Sequence, residues 1–522
     1  MRRKILLLSV SLLLILSFAG CSQKADDTAN KQELLIGMEA GYPPFNWTQK
    51  DDSNGAIPIK DSEEFANGYD VQMAKIVAEK LGRTPVAVKT EWDGLTLAVN
   101  SGKIDVIMAG MSPTAERAKE IDFTEPYYHS QLTLVVSADG PYKDAKKLSD
   151  FSGAKVVAQL NTFHETVIDQ IEGVNKMESM ADFPSMRVAV QSGKADAYVA
   201  ERPEGISSEK AGINLKMIEL EDGFKTSPED TAISIGLKKN NPLLGEMNKI
   251  ISGIDENQRT KIMDQMIDAQ NGDVSTGFFS DMQRIFSNNK GGFLKGTLVT
   301  IAISFVGTLI GLLIGMLIGV VKTIPLGNNG FGNALLTLIK WIMNIYVQVL
   351  RGTPMIVQSM LFYYGLQQFA GIDLKPLTAA FIVVSVNTGA YMAEVVRGGI
   401  NSIDKGQFEA CSALGMSHFQ TMTNVVLPQA FKNIIPSVGN EFIVNIKDTS
   451  VLNVISVNEL FFTTKSIAGA NLKYFQTYLI TSLIYLILTL GIAGLLSLLE
   501  RKLRGKENYE LSSRTNVLKS AN

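Results

Sequence analysis

Apolar residues are spread unevenly along this chain. Between residues 33 and 270 they come in short runs broken by polar stretches; from Leu294 onward the runs are long enough to cross a bilayer. In the first region Leu34-Leu35-Ile36 and Ile104–Met108 read as strands, and Gly68–Leu81 carries apolar residues at helical spacing. Such alternation predicts an α/β domain with a largely parallel sheet. Two later strands, Leu132–Val136 and Ala232–Leu237, are separated by about a hundred residues that repeat the same rhythm. A segment inserted between two crossing strands predicts two lobes on a hinge, with a ligand held between them.

The second region predicts an all-α membrane domain over residues 293–505 with five spans. These are Leu294–Val321, Ala334 to about Leu350 continuing as helix toward Phe369, Leu377 to about Val396, a less hydrophobic one between Ile434 and Val457, and Phe475–Leu499. Residues 271–292, with Asn-Gly-Asp, Ser-Thr-Gly and Ser-Asn-Asn-Lys, read as a surface linker. Within the first span Gly307, Gly311, Gly315 and Gly319 share one helix face, the spacing of close helix packing.

At the N-terminus Arg2, Arg3 and Lys4 precede an apolar run from Ile5 to Phe18, the layout of a secretory signal. Phe18-Ala19-Gly20-Cys21 resembles a bacterial lipobox, which implies lipidation at Cys21; an uncleaved anchor helix is the other reading. Residues 1–21 are thus a leader and 22–32 a tether, and the binding region from residue 33 is exported. Five crossings then leave the C-terminal end inside, where the basic stretch Arg501–Lys506 and a tail over 506–522 belong. The loop Glu409–Pro428, between the third and fourth spans, falls on the same inner side.

Composition narrows the chemistry. A length of 522 residues allows two or three domains, and a net charge of −3 gives no reason to expect a nucleic-acid partner. Two cysteines exclude a disulfide framework, and three scattered histidines offer no metal spacing and read as ordinary residues. No cofactor is expected. No G-x-x-x-x-G-K-[ST] loop occurs, so ATP hydrolysis of that kind belongs to another polypeptide.

Several spaced motifs carry a closer resemblance. Tyr42-Pro43-Pro44-Phe45, Trp92–Leu95, Gly102–Asp105, Gly110–Arg117 and Asp122–Tyr127 stand in the order found in solute-binding proteins for polar amino acids. That family implies a bilobed domain over 33–270 and a zwitterionic ligand. Arg117 offers a planar fork for the carboxylate, with donors from Ser112 and the backbone near Gly110. Asn161 and Thr162, at the start of a predicted helix, offer amide hydrogens; relatives tend to have Gly where Asn161 stands. The resemblance places Glu201 on the ammonium, though many relatives carry Asp there. Tyr42 and Trp92 are expected to clamp the ligand stem, and Glu39 to meet the far end of its side chain, favouring a basic amino acid or glutamine. Each has a plainer reading: Ser112 as the cap of a helix begun by Pro113, Arg117 as helix surface, Trp92 as core, Glu201 as half of a surface pair with Arg202.

The second half resembles the permease subunits of polar amino-acid ABC importers, through Arg351-Gly352-Thr353-Pro354, Gly389-Ala390-Tyr391 and Asn440-Glu441-Phe442. In Glu409–Pro428, Glu409, Ala410 and Gly415 hold positions of the loop that couples such permeases to a cytoplasmic ATPase. Gly415 is expected to break one short helix and Pro428 to end a second; an amphipathic interfacial loop is the alternative. Arg351, Glu394, Glu441 and Lys447, charged at membrane depth, are either pathway groups or ion pairs that fix helix register. The resemblance implies a non-enzymatic receptor–permease in the bacterial cell membrane. Its expected partners are membrane lipid, an amino acid, a separate ATPase and a second copy of itself. A ligand-gated channel or a sensor built on the same domain is the rival.

Overall fold

The computed structural model describes residues 32–269, 277–326 and 330–504. The leader with Cys21, the tether as far as residue 31 and the tail beyond 504 therefore lie outside the described residues. The chain forms two units. The first contains residues up to Asp281 together with two strips from the second half, Met360–Lys375 and Lys465–Gln476; the second contains the remaining helices.

Two five-stranded sheets, one in each lobe, are the largest sheets of the first unit. One takes β1 (Glu33–Met38), β2 (Thr84–Lys89), β3 (Val106–Ile107), β4 (Ile121–Phe123) and a late strand, β10 (Gly236–Lys238), in the order β2-β1-β3-β10-β4. The other takes β5 (Leu132–Ser137), β6 (Lys155–Val157), β7 (Asn175–Lys176), β8 (Ala197–Glu201) and β9 (Leu215–Ile218), in the order β7-β6-β8-β5-β9. Both sheets are mixed, which corrects the expectation of a largely parallel one. β1 runs parallel to β2 and β3, and β6 to β7 and β8, but the strand entering from the opposite lobe, β10 or β5, is antiparallel to its neighbours. Where the chain crosses, Tyr128–His129 pairs antiparallel with Ala232–Ile233, so the hinge is a two-stranded ribbon.

Leu34, Ile36 and Met38 are wholly buried on β1, the continuous apolar run of a strand covered on both faces. Helix α1 (Tyr69–Lys80) buries Tyr69, Val71, Met73, Ala74, Val77 and Ala78, an apolar stripe at helical spacing. In the second lobe α2 (Phe183–Gln191) is started by Asp182, whose carboxylate accepts from the Ser185 amide at 2.9 Å.

The helices of the second half are α3 (Phe278–Thr323), α4 (Gly330–Gly352), α5 (Met355–Ala370), α6 (Pro376–Asn401), α7 (Lys405–Ala413), α8 (His418–Thr421), α9 (Leu427–Asp448), α10 (Leu460–Asn471) and α11 (Tyr474–Arg504). Among the described residues four are long and apolar enough to cross a membrane: α3, α4, α6 and α11. The fifth expected span falls largely on α9, whose Lys432, Asn433, Asn440, Glu441, Asn445 and Lys447 keep it below that threshold. Two boundaries differ from expectation. The linker is helical from Phe278, because Ile285 and Phe293 bury one side of an otherwise polar stretch. The second span breaks at Thr353-Pro354 instead of continuing, since a proline cannot donate the bond that joins two turns.

In the second unit the four glycines of α3 lie against α6. A Cβ on Gly307, Gly311, Gly315 or Gly319 would come within 2.4–2.7 Å of Val384, Thr388, Met392 or Val396 respectively. Both series advance by four, so the two helices run in the same direction. Asn445 of α9 donates to Thr308 of α3 at 2.9 Å and to Thr388 of α6 at 3.0 Å, a buried knot joining three helices.

After α7 the chain turns at Gly415, with φ +72, and Ser417 caps α8 with its side chain. Pro428 does not end a helix, contrary to expectation. Helix α8 runs on through a π-helical turn, Met422–Val426, into α9, and Pro428 sits in the first turn of α9. The widened turn accommodates a ring that a regular helix would reject.

Candidate ligand-binding site

One cavity between the two lobes is lined by Glu39, Tyr42, Trp92, Gly110, Ser112, Arg117, Thr162 and Glu201, the eight residues expected to bind ligand. Gln159, Phe163, His164, Phe183 and Ala109 complete the wall. Its free volume is about 20 Å³, room for a water-sized group.

Residues 112–116 form a loop, and the short helix begins only at Arg117. The plainer reading of Ser112 as a helix cap therefore fails; its buried side chain belongs to the wall. Arg117 is half-buried. It donates to the Ser112 carbonyl at 3.1 Å and, across the cleft, to the Asn161 carbonyl at 2.7 Å, while its guanidinium lies 4.9 Å from the centre of the Trp92 ring. Burial lowers its pKa to about 10, still far above neutrality, so the fork remains charged.

Asn161 sits at φ +60, the left-handed region that Gly or Asn adopts at least cost. Its side chain donates to Asp93 on the first lobe at 3.0 Å. The helix expected after Thr162 is a single turn, His164–Val167, so little dipole accumulates there and any anion contact rests on individual amides. Gly110 is at φ +64, and a Cβ on it would meet the Tyr42 ring at 2.9 Å.

Glu201 ends β8 and is buried. Burial pushes its carboxyl up, but the imidazole of His164, with Nε2 3.1 Å from Oε1, and the donated hydroxyl of Tyr42 hold it below the usual range. Glu201 is thus a buried acceptor rather than half of a surface pair. His164, read from sequence as ordinary, belongs to the wall; a lone histidine carries no pattern, and only the fold brings it to β8. Tyr42 stacks on Phe183 with centroids 4.3 Å apart, whereas the face of Trp92 is taken by Arg117, so the partner facing Tyr42 is Phe183. Glu39 is pushed up to about 8, first by burial and then by the charges of Glu91 and Asp182, against the pull of Lys465.

In the second unit Glu409, Ala410 and Gly415 are exposed, beside the bare side chains of Leu414 and Phe419, while Cys411 is buried. Glu394 pairs with Lys322 of α3 at 3.3 Å and with Arg397 at 2.5 Å. The Arg351 guanidinium lies 5.5 Å from the centre of the Tyr391 ring. Among the described residues Glu441 is half-buried and Lys447 exposed, each without an ion pair.

Residues 34–268 match the family described as bacterial extracellular solute-binding proteins, family 3. Residues 311–505 match the inner membrane component of binding-protein-dependent transport systems. A probable amino-acid permease protein of Bacillus subtilis, YxeN, is 44% identical over 159 residues, covering 30% of this chain and 71% of the relative. The arginine transport system permease protein ArtQ of the same bacterium is 38% identical, covering 32% and 76%. Among solved structures, an amino acid ABC transporter substrate-binding protein from Streptococcus pneumoniae bound to L-arginine is 23% identical. It covers 46% of this chain and 97% of its own, with a TM-score of 0.39.

Proposed function

Because the chain belongs to the amino-acid ABC importers, with an extracellular-type solute-binding domain and a permease in one polypeptide, we propose that it captures a basic amino acid or glutamine outside the cell and passes it inward, driven by ATP hydrolysed on a separate subunit. The observation that carries this reading is the convergence of Arg117, Glu201 and Glu39 on one interlobe cavity. A free amino acid presents a carboxylate and an ammonium on one carbon. Arg117 takes the carboxylate through two charge-assisted hydrogen bonds, helped by Ser112 and Thr162. Glu201 takes the ammonium, which displaces its present partners Tyr42 and His164. Tyr42 and Phe183 flank the stem. Glu39 meets the end of the side chain, and once a cationic group draws off its proton the carboxylate favours a basic ligand over glutamate and aspartate.

The permease half passes the solute on. In this reading α9 is a fifth crossing, its polar residues facing the pathway or other helices. The parallel course of α3 and α6 supports placing Glu409–Pro428 on the side where α3 ends, the cytoplasmic one. Glu409, Ala410, Gly415 and the exposed Leu414 and Phe419 form the surface against which the ATPase works. Arg351, Glu441 and Lys447 line the path, and Glu394 holds α3 to α6. Two copies of this chain supply the paired bundles that an ABC importer encloses its pathway with.

The test is the thermal shift of the full chain in detergent with each of the twenty amino acids. Arginine, lysine, histidine or glutamine should raise the melting point, and stabilisation by glutamate or aspartate alone refutes the assigned selectivity.

A further inference from the structure

We propose that Lys465 is a positioning residue that latches the two lobes of the binding domain across the mouth of its cleft. Its ammonium lies 2.6 Å from Oε2 of Glu91 and 3.3 Å from Oδ2 of Asp182. Those two acids belong to different lobes. Glu91 follows β2 and immediately precedes Trp92; Asp182 caps α2 and immediately precedes Phe183. Trp92 and Phe183 both line the cavity, so the bridge sits at its rim. Glu39, inside the rim, is the third acid that Lys465 acts on.

The bridge is held in place from behind. Lys465 begins the strip Lys465–Gln476, which belongs to the same unit as the lobes. Tyr474 accepts from the wholly buried Arg187 of α2 at 2.9 Å. Ser466 bonds the ammonium of Lys89 on β2, and Lys473 pairs with the buried Asp281 at 2.7 Å. Lys465 is therefore presented by a pinned backbone, and its side chain is only 18% exposed, which spares the pair most of the screening that weakens surface salt bridges.

Parting the lobes separates Glu91 from Asp182, and one ammonium cannot follow both. The contact thus contributes only to the closed form, and a group that binds one of two conformations shifts the population toward it. The same residue sits on α10, whose first residues, Leu460–Thr464, belong to the membrane unit. A movement of α10 that withdrew Lys465 would loosen both lobes at once.

The experiment is amide hydrogen exchange of the full chain in lipid nanodiscs without ligand, read over residues 91–95 and 182–186. Lys465→Gln should raise exchange in both segments together by about tenfold, and Lys465→Glu by more, since it leaves Glu91 and Asp182 facing a third acid. The charge swap Lys465→Glu with Glu91→Lys should restore most of the protection. Unchanged exchange, a rise in only one lobe, or a swap no better than Lys465→Glu alone would overturn the latch. Dissociation of L-arginine and of L-glutamine, measured on the same variants, should quicken in parallel. If the wild-type chain binds neither probe while exchange rises in both lobes of the variants, the latch stands and the selectivity assigned to the cleft falls.

Discussion

Glu39 keeps its proton at neutral pH, because burial and the charges of Glu91 and Asp182 hold its carboxyl at about 8. A cationic ligand side chain needs the ionised form. Below pH 8 its binding must release that proton, so its affinity should climb by up to about tenfold per pH unit toward 8 and level off above. Glutamine, whose amide hydrogen-bonds either form, should bind with a flat profile over the same window. Calorimetric titration with arginine and glutamine from pH 6 to 9 checks this. A slope that survives in Glu39→Gln would assign the titration to another group. That Arg117 and Glu201 belong to the cavity wall was legible from residue type and motif order. His164 and Phe183 were not, because no spacing in the chain relates them to Tyr42 or Glu201.

Helix α3 illustrates how far periodicity reaches among the elements. Four glycines at a spacing of four predict a close approach, and α6 supplies it with a matching series of its own. Gly311→Leu should drive the helices apart, since a Cβ alone already reaches 2.7 Å from Thr388, and overpacking of this kind costs about 1–3 kcal/mol. A lower melting point and lost uptake are expected from it. Gly398→Ala, with nothing within 4 Å of its Cβ, should leave the melting point unchanged. Pro428 marks the limit of local rules. Proline normally punctuates a helix, yet here a π turn before it keeps the chain helical from His418 to Asp448. The helical start of α3 was hidden for a related reason: its polar residues read as a linker until Ile285 and Phe293 find something to pack against.

For the whole molecule, the fusion of receptor and permease matters most. A tethered binding domain meets its translocator at an effective concentration near millimolar for a short flexible connection, so docking can be weak and quickly reversed. Uptake by cells expressing the chain with its ATPase should survive a modest insertion at residues 271–276. It should fall sharply for the fragment 290–522; unchanged uptake by that fragment would mean that the permease works without its receptor.

The sequence by itself determined the kinds of element and their order, because hydrophobic period and turn residues act over a few positions, and it singled out polar residues that line the cavity. Only the tertiary structure decided which groups meet. Glu201 rests against Tyr42 and His164, and Lys465, more than 250 residues from Asp182, closes on both lobes. Contacts between distant segments leave no local pattern; they arise only when folding brings unrelated stretches to the same place.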